Sequence, residues 1–351
     1  MSHDPCSCPL PTSLESIQTT LDCQATPTTP AIDDLTPWHQ LTPREKELVS
    51  RVEPLSAIER SFRHRGWLAD RRRVVDALAN SGMSLAGLER FRECGGGAVV
   101  EIRADGTRHR VRGNYCGHRF CQPCARARAR VVRDNLLRWI NGQPVLFITL
   151  TLRQSTDSLV EVLDHLKDSF TRLRNQKFWK AAVKAAAAFT EITRGASGDH
   201  WHVHLHVLAV SRWVDQEQLS QQWEQATGGS FIVHVRRVQD TRKQVQYVAS
   251  YATKGFSRDV VLDRDALIEC IVSLRGRRLL STYGGWGRLC MEEDQGDTIG
   301  WRRVGRLVEI VNNAARGCAR SQAILRDLRV VAIPDAGEVS FVDLKREPPP
   351  P

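Results

Sequence analysis

The sequence predicts an α+β protein built on a central antiparallel sheet of the split-βαβ, ferredoxin-like kind, preceded by helices and a small zinc-binding module. Three observations predict it. Between residues 145 and 254 the strand-like and helix-like stretches alternate as β-α-β-β-α-β-α, the element order of a split βαβ sheet. Within that region His200, His202, His204 and His206 stand at every second position, so a strand carries them all on one face. Ahead of it, Cys94, Cys116, Cys121 and Cys124 bracket a predicted hairpin with the spacing of a metal knuckle.

Composition bounds the function. The 351 residues are 41% hydrophobic and 26% charged, ordinary for a globular protein. Fifty Lys and Arg against 40 acidic residues give +10, which favours a polyanionic partner, most simply nucleic acid. No stretch approaches the ~18 consecutive apolar residues of a membrane span. The first residues lack a basic segment followed by an apolar one, so no signal peptide is expected. A cytoplasmic, reducing location follows, in which clustered cysteines serve metal before disulfide.

Taken in order, residues 1–40 are rich in Pro, Thr, Ser and Asp and read as a disordered tail, with Cys6, Cys8 and Cys23 incidental. Residues 41–93 read as a basic helical region, opened by the capping box Thr42-Pro43-Arg44-Glu45 and broken at Pro54 and Gly66. Its arginines, Arg60 to Arg73, suit either a DNA backbone or a solvated face. Residues 94–143 form the zinc-binding module. A hairpin turning at Asp105-Gly106 returns the chain from Cys94 to Cys116, so four thiolates can meet around a structural Zn²⁺, with His118 or His109 as substitutes for Cys94. Arg126, Arg128 and Arg130 then open a basic helix, a nucleic-acid contact surface.

Residues 144–290 carry the sheet. A strand at 145–152 is followed by a helix capped by Ser155, a second helix at 177–188 and a short strand at 189–193. After a turn at 195–198 come the histidine strand, a helix at 215–226, a strand at 231–235, and a helix from Thr241 to Lys254 stopped by Gly255. Period-two bookkeeping puts Thr149, Thr151, Glu191, Thr193 and the histidines on one face. Ile148, Leu150, Ile192, Val203, Leu205 and Val207 fall on the other, making one sheet face polar and one apolar. Neutral imidazole is the commonest metal ligand, so the histidine strand reads as a metal site. On the last helix Tyr247 and Tyr251, i and i+4, share a face flanked by Lys254. A packing stripe is the ordinary meaning of such a pair; here it is half of the chain's four tyrosines. Residues 291–351 read as basic helices at 301–332 ending in a disordered proline tail.

These residues resemble the HUH endonucleases, in particular the two-tyrosine rolling-circle replication initiators of plasmids and related phages. Phe147-Ile148-Thr149-Leu150-Thr151 resembles the first motif of that family, and Trp201-His202-Val203-His204-Leu205-His206 its metal motif. The stretch from Tyr247 to Lys254 resembles its tyrosine helix, and the cysteines ahead of the first motif also resemble plasmid initiators. Val203 replaces a proline common in relatives, and Ser250 a lysine that usually precedes the second tyrosine. The resemblance implies an HUH nicking-joining domain. His204, His206 and Glu191, with His202 added or alternative, would hold Mg²⁺ or Mn²⁺, and Tyr247 or Tyr251 would attack single-stranded or hairpin origin DNA. It also implies a host helicase and replication machinery as partners. A two-tyrosine transposase shares this chemistry, a relaxase fits less well because its tyrosine precedes its histidines, and a zinc-containing DNA-binding regulator without nuclease activity is the alternative of another class.

Overall fold

The structure, a computed structural model, describes residues 57–194, 200–254, 257–292, 300–335 and 338–343. The expected N-terminal tail with its three cysteines, the capping box at 42–45, the turn at 195–198, Gly255 and the proline tail lie outside the described residues. Three helices come first: α1 (Ala57–His64), α2 (Leu68–Asn80) and α3 (Leu85–Arg92). Ser84 caps α3 by accepting the Gly87 N–H. The hairpin β1 (Val99–Arg103) and β2 (His109–Arg112) turns through Gly106, and the 19-residue helix α4 (Gln122–Ile140) follows, with Pro123 in its first turn.

The central sheet then forms from β3 (Val145–Thr151), α5 (Leu159–Asn175), α6 (Lys177–Ala182), β4 (Ala185–Arg194) and β5 (Trp201–Val210). Next come α7 (Gln216–Thr227), β6 (Val233–Arg237), α8 (Thr241–Lys254), α9 (Arg258–Leu262), α10 (Arg264–Ser273) and β7 (Leu280–Gly284). Its strand order is β6-β3-β5-β4-β7, every neighbouring pair antiparallel. The expected apolar face is realised: Ile148, Leu150, Ile192, Val203, Leu205 and Val207 join one core with α5, α7 and, further along, Trp67, Leu78, Phe91 and Cys94. Each fully buried Leu, Ile or Phe there contributes about 1.5–3 kcal/mol.

Four expectations are corrected by the fold. The opposite sheet face is polar only at one end. Elsewhere Phe147, Phe189, Leu208 and Val210 build a second core under α4 and α8, with Val132, Leu136, Val245 and Val248. The helix expected over 177–188 stops at Ala182, because the alanines that follow are a strand hydrogen-bonded on both sides, to β5 and β7. Ala186 and Ala188 face the first core, Ala185 and Ala187 the second. Two covered faces and two ladders outweigh the helix preference of alanine. Ser155 does not cap α5; Ser158 does, in a capping box with Glu161, while Ser155 bonds Asp157 at a bend. Residues 301–306 are not helical. They form β8 (Trp301–Arg306), paired with β1 into a sheet of order β2-β1-β8.

After β8 come α11 (Leu307–Ala315), α12 (Ala319–Asp327) and the hairpin β9 (Val330–Asp335) and β10 (Glu338–Asp343). Leu307, Val311, Ile324 and Phe341 share a third core with Phe62 and Val100, so the last and first described segments pack together.

Candidate active site

Cross-strand register assembles the site. Thr149 stands opposite His206 and Thr151 opposite His204 on one side of β5, while Glu191 stands opposite His204 and Thr193 opposite His202 on the other. Side chains of paired residues point to the same face, which is the sheet's polar end. Each threonine hydroxyl lies 3.1 Å from an imidazole Nδ1, Thr149 on His206 and Thr151 on His204. With Nδ1–H donating to the hydroxyl, Nε2 of both rings is left to face the site, the arrangement that orients a histidine for ligation. His206 Nε2 lies 2.8 Å from Glu191 Oε2, and His204 Nε2 lies 3.2 Å from His202 Nδ1. His200 sits one residue before β5 and joins none of these contacts; its Nδ1 is buried without a partner.

Helix α8 brings both tyrosines onto this face. The Tyr251 ring stacks on His206 with centroids 4.8 Å apart, and Tyr247 meets Tyr251 edge-on at 5.0 Å. Phe147 lies beneath, stacked on His206 at 5.3 Å. Val245, Val248 and Ala249 anchor the helix in the second core, which fixes the rotation that presents Tyr247 and Tyr251. Tyr247 is 48% exposed, open to solvent. Lys254 is the last residue of α8, and its side chain lies outside the described residues.

The electrostatics suit a cation. Burial, then the charges of His202 and His206, lowers His204 to about 4, so it is neutral at neutral pH, the form in which an imidazole can ligate. Burial works against the Glu191 carboxylate, but the His206 hydrogen bond and the neighbouring imidazoles outweigh it and hold the group below its ordinary value. Burial, the Tyr247 hydrogen bond and the Glu191 charge push the Tyr251 phenol well above its ordinary range. The donor set, imidazoles and an ionised carboxylate on one face, therefore fits a divalent ion by its chemistry. Its donors are bonded in two pairs rather than gathered: among the described residues only the four cysteines bring three or more such atoms within 4.8 Å of one another.

That second centre is the knuckle. The sulfurs of Cys94, Cys116, Cys121 and Cys124 all lie within 4.8 Å of one another, with Cys94 3.6 Å from Cys121 and 3.4 Å from Cys124. The hairpin closes it as expected: Gly95 N–H donates to the Asn114 carbonyl and Asn114 N–H to the Gly96 carbonyl. Gly95 holds φ +102°, and a Cβ there would come within 2.7 Å of Arg63, so only glycine fits beside Cys94. Hydrogen bonds from the other thiols hold Cys94 well below the ordinary thiol range, and those from Cys116 and Cys121 lower Cys124 to about 7. The four can hold a metal ion, and four sulfurs suit zinc. Neither expected substitute is needed. His109 pairs with Asp327 at 2.7 Å, and His118 packs against Phe91 and Phe120.

Arg126, Arg128 and Arg130 are all exposed on α4, and the side chains of Arg128 and Arg130 both line one groove beside it. Sequence reasoning missed His234 and Arg236 of β6. His234 stands opposite Thr149, and Arg236 lies 4.8 Å over the Phe147 ring and bonds Gln244. The signal was present: β6 reads polar at alternate positions, like β5, in register with it across β3.

No helix among the described residues is long and apolar enough to cross a membrane. Comparison with curated proteins and with solved structures finds no match. The sequence profile of one family, described as a replication protein, matches residues 108–307. That match spans more than half of the chain, from the hairpin before the knuckle to the strand after the central sheet, and with it the chain belongs to the Rep_1 family, the replication proteins of rolling-circle plasmids.

Proposed function

We propose that this replication protein initiates rolling-circle replication as a two-tyrosine HUH nickase, cutting origin DNA by tyrosine attack and later rejoining it. The observation that carries the reading is the stack of Tyr251 on His206, which brings phenol, imidazole and the Glu191 carboxylate together on one sheet face. The ferredoxin-like reading of the domain has its own support. Counted along the βαββαβ unit, the order β6-β3-β5-β4 is 4-1-3-2 with antiparallel neighbours, as a split βαβ sheet requires.

His204, His206 and Glu191 would hold Mg²⁺ or Mn²⁺, with His202 the alternative donor. When bound, the ion supplies Lewis-acid polarisation of the scissile phosphate. The chain's own groups do the rest. Thr149 and Thr151 fix the ring orientations. Glu191, whose charge raises the Tyr251 phenol, is the carboxylate placed to take its proton. The phenol oxygen bonds to phosphorus as the P–O3′ bond breaks, leaving a 5′-phosphotyrosine and a 3′-oxygen that takes up a proton. One phosphodiester replaces another, so rejoining needs no nucleotide cofactor. Tyr247, in edge contact with Tyr251, is a second nucleophile for the joining transfer. The Cys94, Cys116, Cys121 and Cys124 site would hold structural Zn²⁺, with Arg126, Arg128 and Arg130 as DNA contacts on the helix it caps. Lys254 would add positive charge beside the phosphate. The substrate is single-stranded or hairpin-extruded origin DNA, and host helicase with the replication machinery would extend the 3′-OH; the work belongs in the cytoplasm.

The test is incubation of labelled origin single strand with Mn²⁺ and the wild type, Tyr247→Phe, Tyr251→Phe and the double variant. A denaturation-resistant adduct in wild type that vanishes in the double variant supports the reading. An adduct that survives both substitutions overturns it.

A further inference from the structure

One large concavity among the described residues lies apart from the tyrosines. A groove of about 1350 Å³ runs beside α4, walled by the β1–β2 hairpin, the knuckle loop and the segment that leads into β7. Eight arginines line it against two carboxylates, Asp134 and Glu292. Half of these arginines are engaged: Arg138 pairs with Glu292 at 2.8 Å, Arg277 with Asp164, Arg103 with Asp105, and Arg119 donates to the Arg277 carbonyl. Arg108, Arg128, Arg130 and Arg278 are exposed, come from three separate elements, and make no ion pair among the described residues. Gathering cations without counter-charge is unfavourable unless an anion is expected between them. Arg119 feels the strain: burial, then the Arg128 charge, lowers it, and its Nη1 is buried without a hydrogen-bond partner.

Three aromatic side chains interrupt the positive charge. Tyr115 is 50% exposed, Trp139 lies at the far end of α4, and Trp301 opens β8 with Arg110 stacked over it at 4.0 Å. Cationic walls with interleaved aromatic faces match a single strand, whose phosphates need charge and whose bare bases need platforms; a duplex offers the first and hides the second. Position supports the same occupant. Leu280 at the groove's edge pairs with Phe189, which pairs with His206. Two strand spacings of about 4.8 Å put this edge about 10 Å from the His206 backbone, on the same sheet face as the tyrosines.

We infer that this groove is a binding channel for single-stranded DNA, carrying the strand that continues from the tyrosine centre toward the knuckle. The inference rests on the nicking reading for the identity of the strand, not for the chemistry of the groove. Full-length wild type and the double variant Arg128→Gln with Arg278→Gln are compared for affinity to a deoxythymidine oligonucleotide across a salt series. Both residues are exposed and make no ion pair among the described residues, so the variant keeps the fold. Affinity should fall about tenfold or more, and the slope of log affinity against log salt should drop by about 1.4, the release expected for two phosphates on a single strand. An abasic oligonucleotide of equal length should bind wild type at least about tenfold more weakly, because the aromatic platforms then have nothing to stack. Unchanged affinity in the variant, equal binding of the abasic strand, or an equal loss on blunt duplex overturns the inference. Adduct formation by wild type is scored separately. Without an adduct but with the groove effects, the nicking reading fails and the channel stands. With an adduct but without the groove effects, the channel fails and the nicking reading stands.

Discussion

Two side-chain clusters on this chain are built from metal-binding residues, and they are built in opposite ways. The cysteine knuckle is closed: three of its four residues are buried, its donors are mutually within reach, and its backbone is pinned by the hairpin and by Gly95. The histidine cluster is half open. Its rings are tethered from behind by Thr149 and Thr151, but their Nε2 atoms bond pairwise to Glu191 and His202 at the edge of a face with an exposed tyrosine. A gathered set of donors holds structure together; a set tethered from behind and joined only in pairs has room to rearrange around an added ligand. The difference teaches that what separates the two sites is how many donor bonds the fold has already spent.

The sharpest way to break that contrast is to exchange the consequences. His204→Gln should lower adduct formation about a hundredfold or more, because several kcal/mol of phosphate charge stabilisation is lost, while thermal unfolding stays near wild type. Calorimetry beside the adduct assay checks both halves, and a large stability loss would make the histidines structural. Cys121→Ser should do the reverse. Losing a buried ligand of a closed site should destabilise the fold by about 5 kcal/mol or more, read by urea unfolding with zinc content measured by atomic absorption. A variant that retains its stability would show the knuckle to be ordinary core.

A smaller effect is expected from pH. Burial lowers His64, whose Nε2–H donates to the Cys94 carbonyl, and His118, packed against Phe91, each to about 4. Between pH 6.5 and 4 the unfolded chain binds protons that the folded chain refuses, so stability falls as pH falls through that window. The slope is at most about 1.4 kcal/mol per pH unit for each residue. Urea midpoints in zinc-buffered solution check it, and His118→Phe should flatten the curve. The smallest effect belongs to the tethers. Thr151→Val should cost about 1 kcal/mol of stability or less yet weaken Mn²⁺ binding about 10-fold or more, measured by calorimetric titration.

Much of this was legible in the residues. The alternation from His202 to Val207 put the histidines and the apolar residues on the sheet faces where they are found, and Tyr247 and Tyr251 fell on a helix with the bounds read for it, Thr241–Lys254. Cys94 joined its partners because a hairpin must bring its outer ends together. What was not legible needed partners distant in sequence. Ala185 to Ala188 look helical until β5 and β7 pair on either side, and Leu280 to Gly284 become a strand because β4 offers an edge. Trp301 to Arg306 likewise read as basic helix and instead extend the hairpin at β1.

By itself the sequence determined which chemistry is available: period-two imidazoles, four thiols at knuckle spacing, two phenols one turn apart, and an excess of arginine. Those are local properties, set by how a strand or helix disposes its side chains. Only the tertiary structure decided which groups meet. It stacked Tyr251 on His206, turned His204 toward His202, sank half of the polar sheet face under two helices, and gathered arginines from separate segments around one groove. The physical reason is that strand pairing and core burial act between residues far apart in the chain, and no local periodicity encodes the partner.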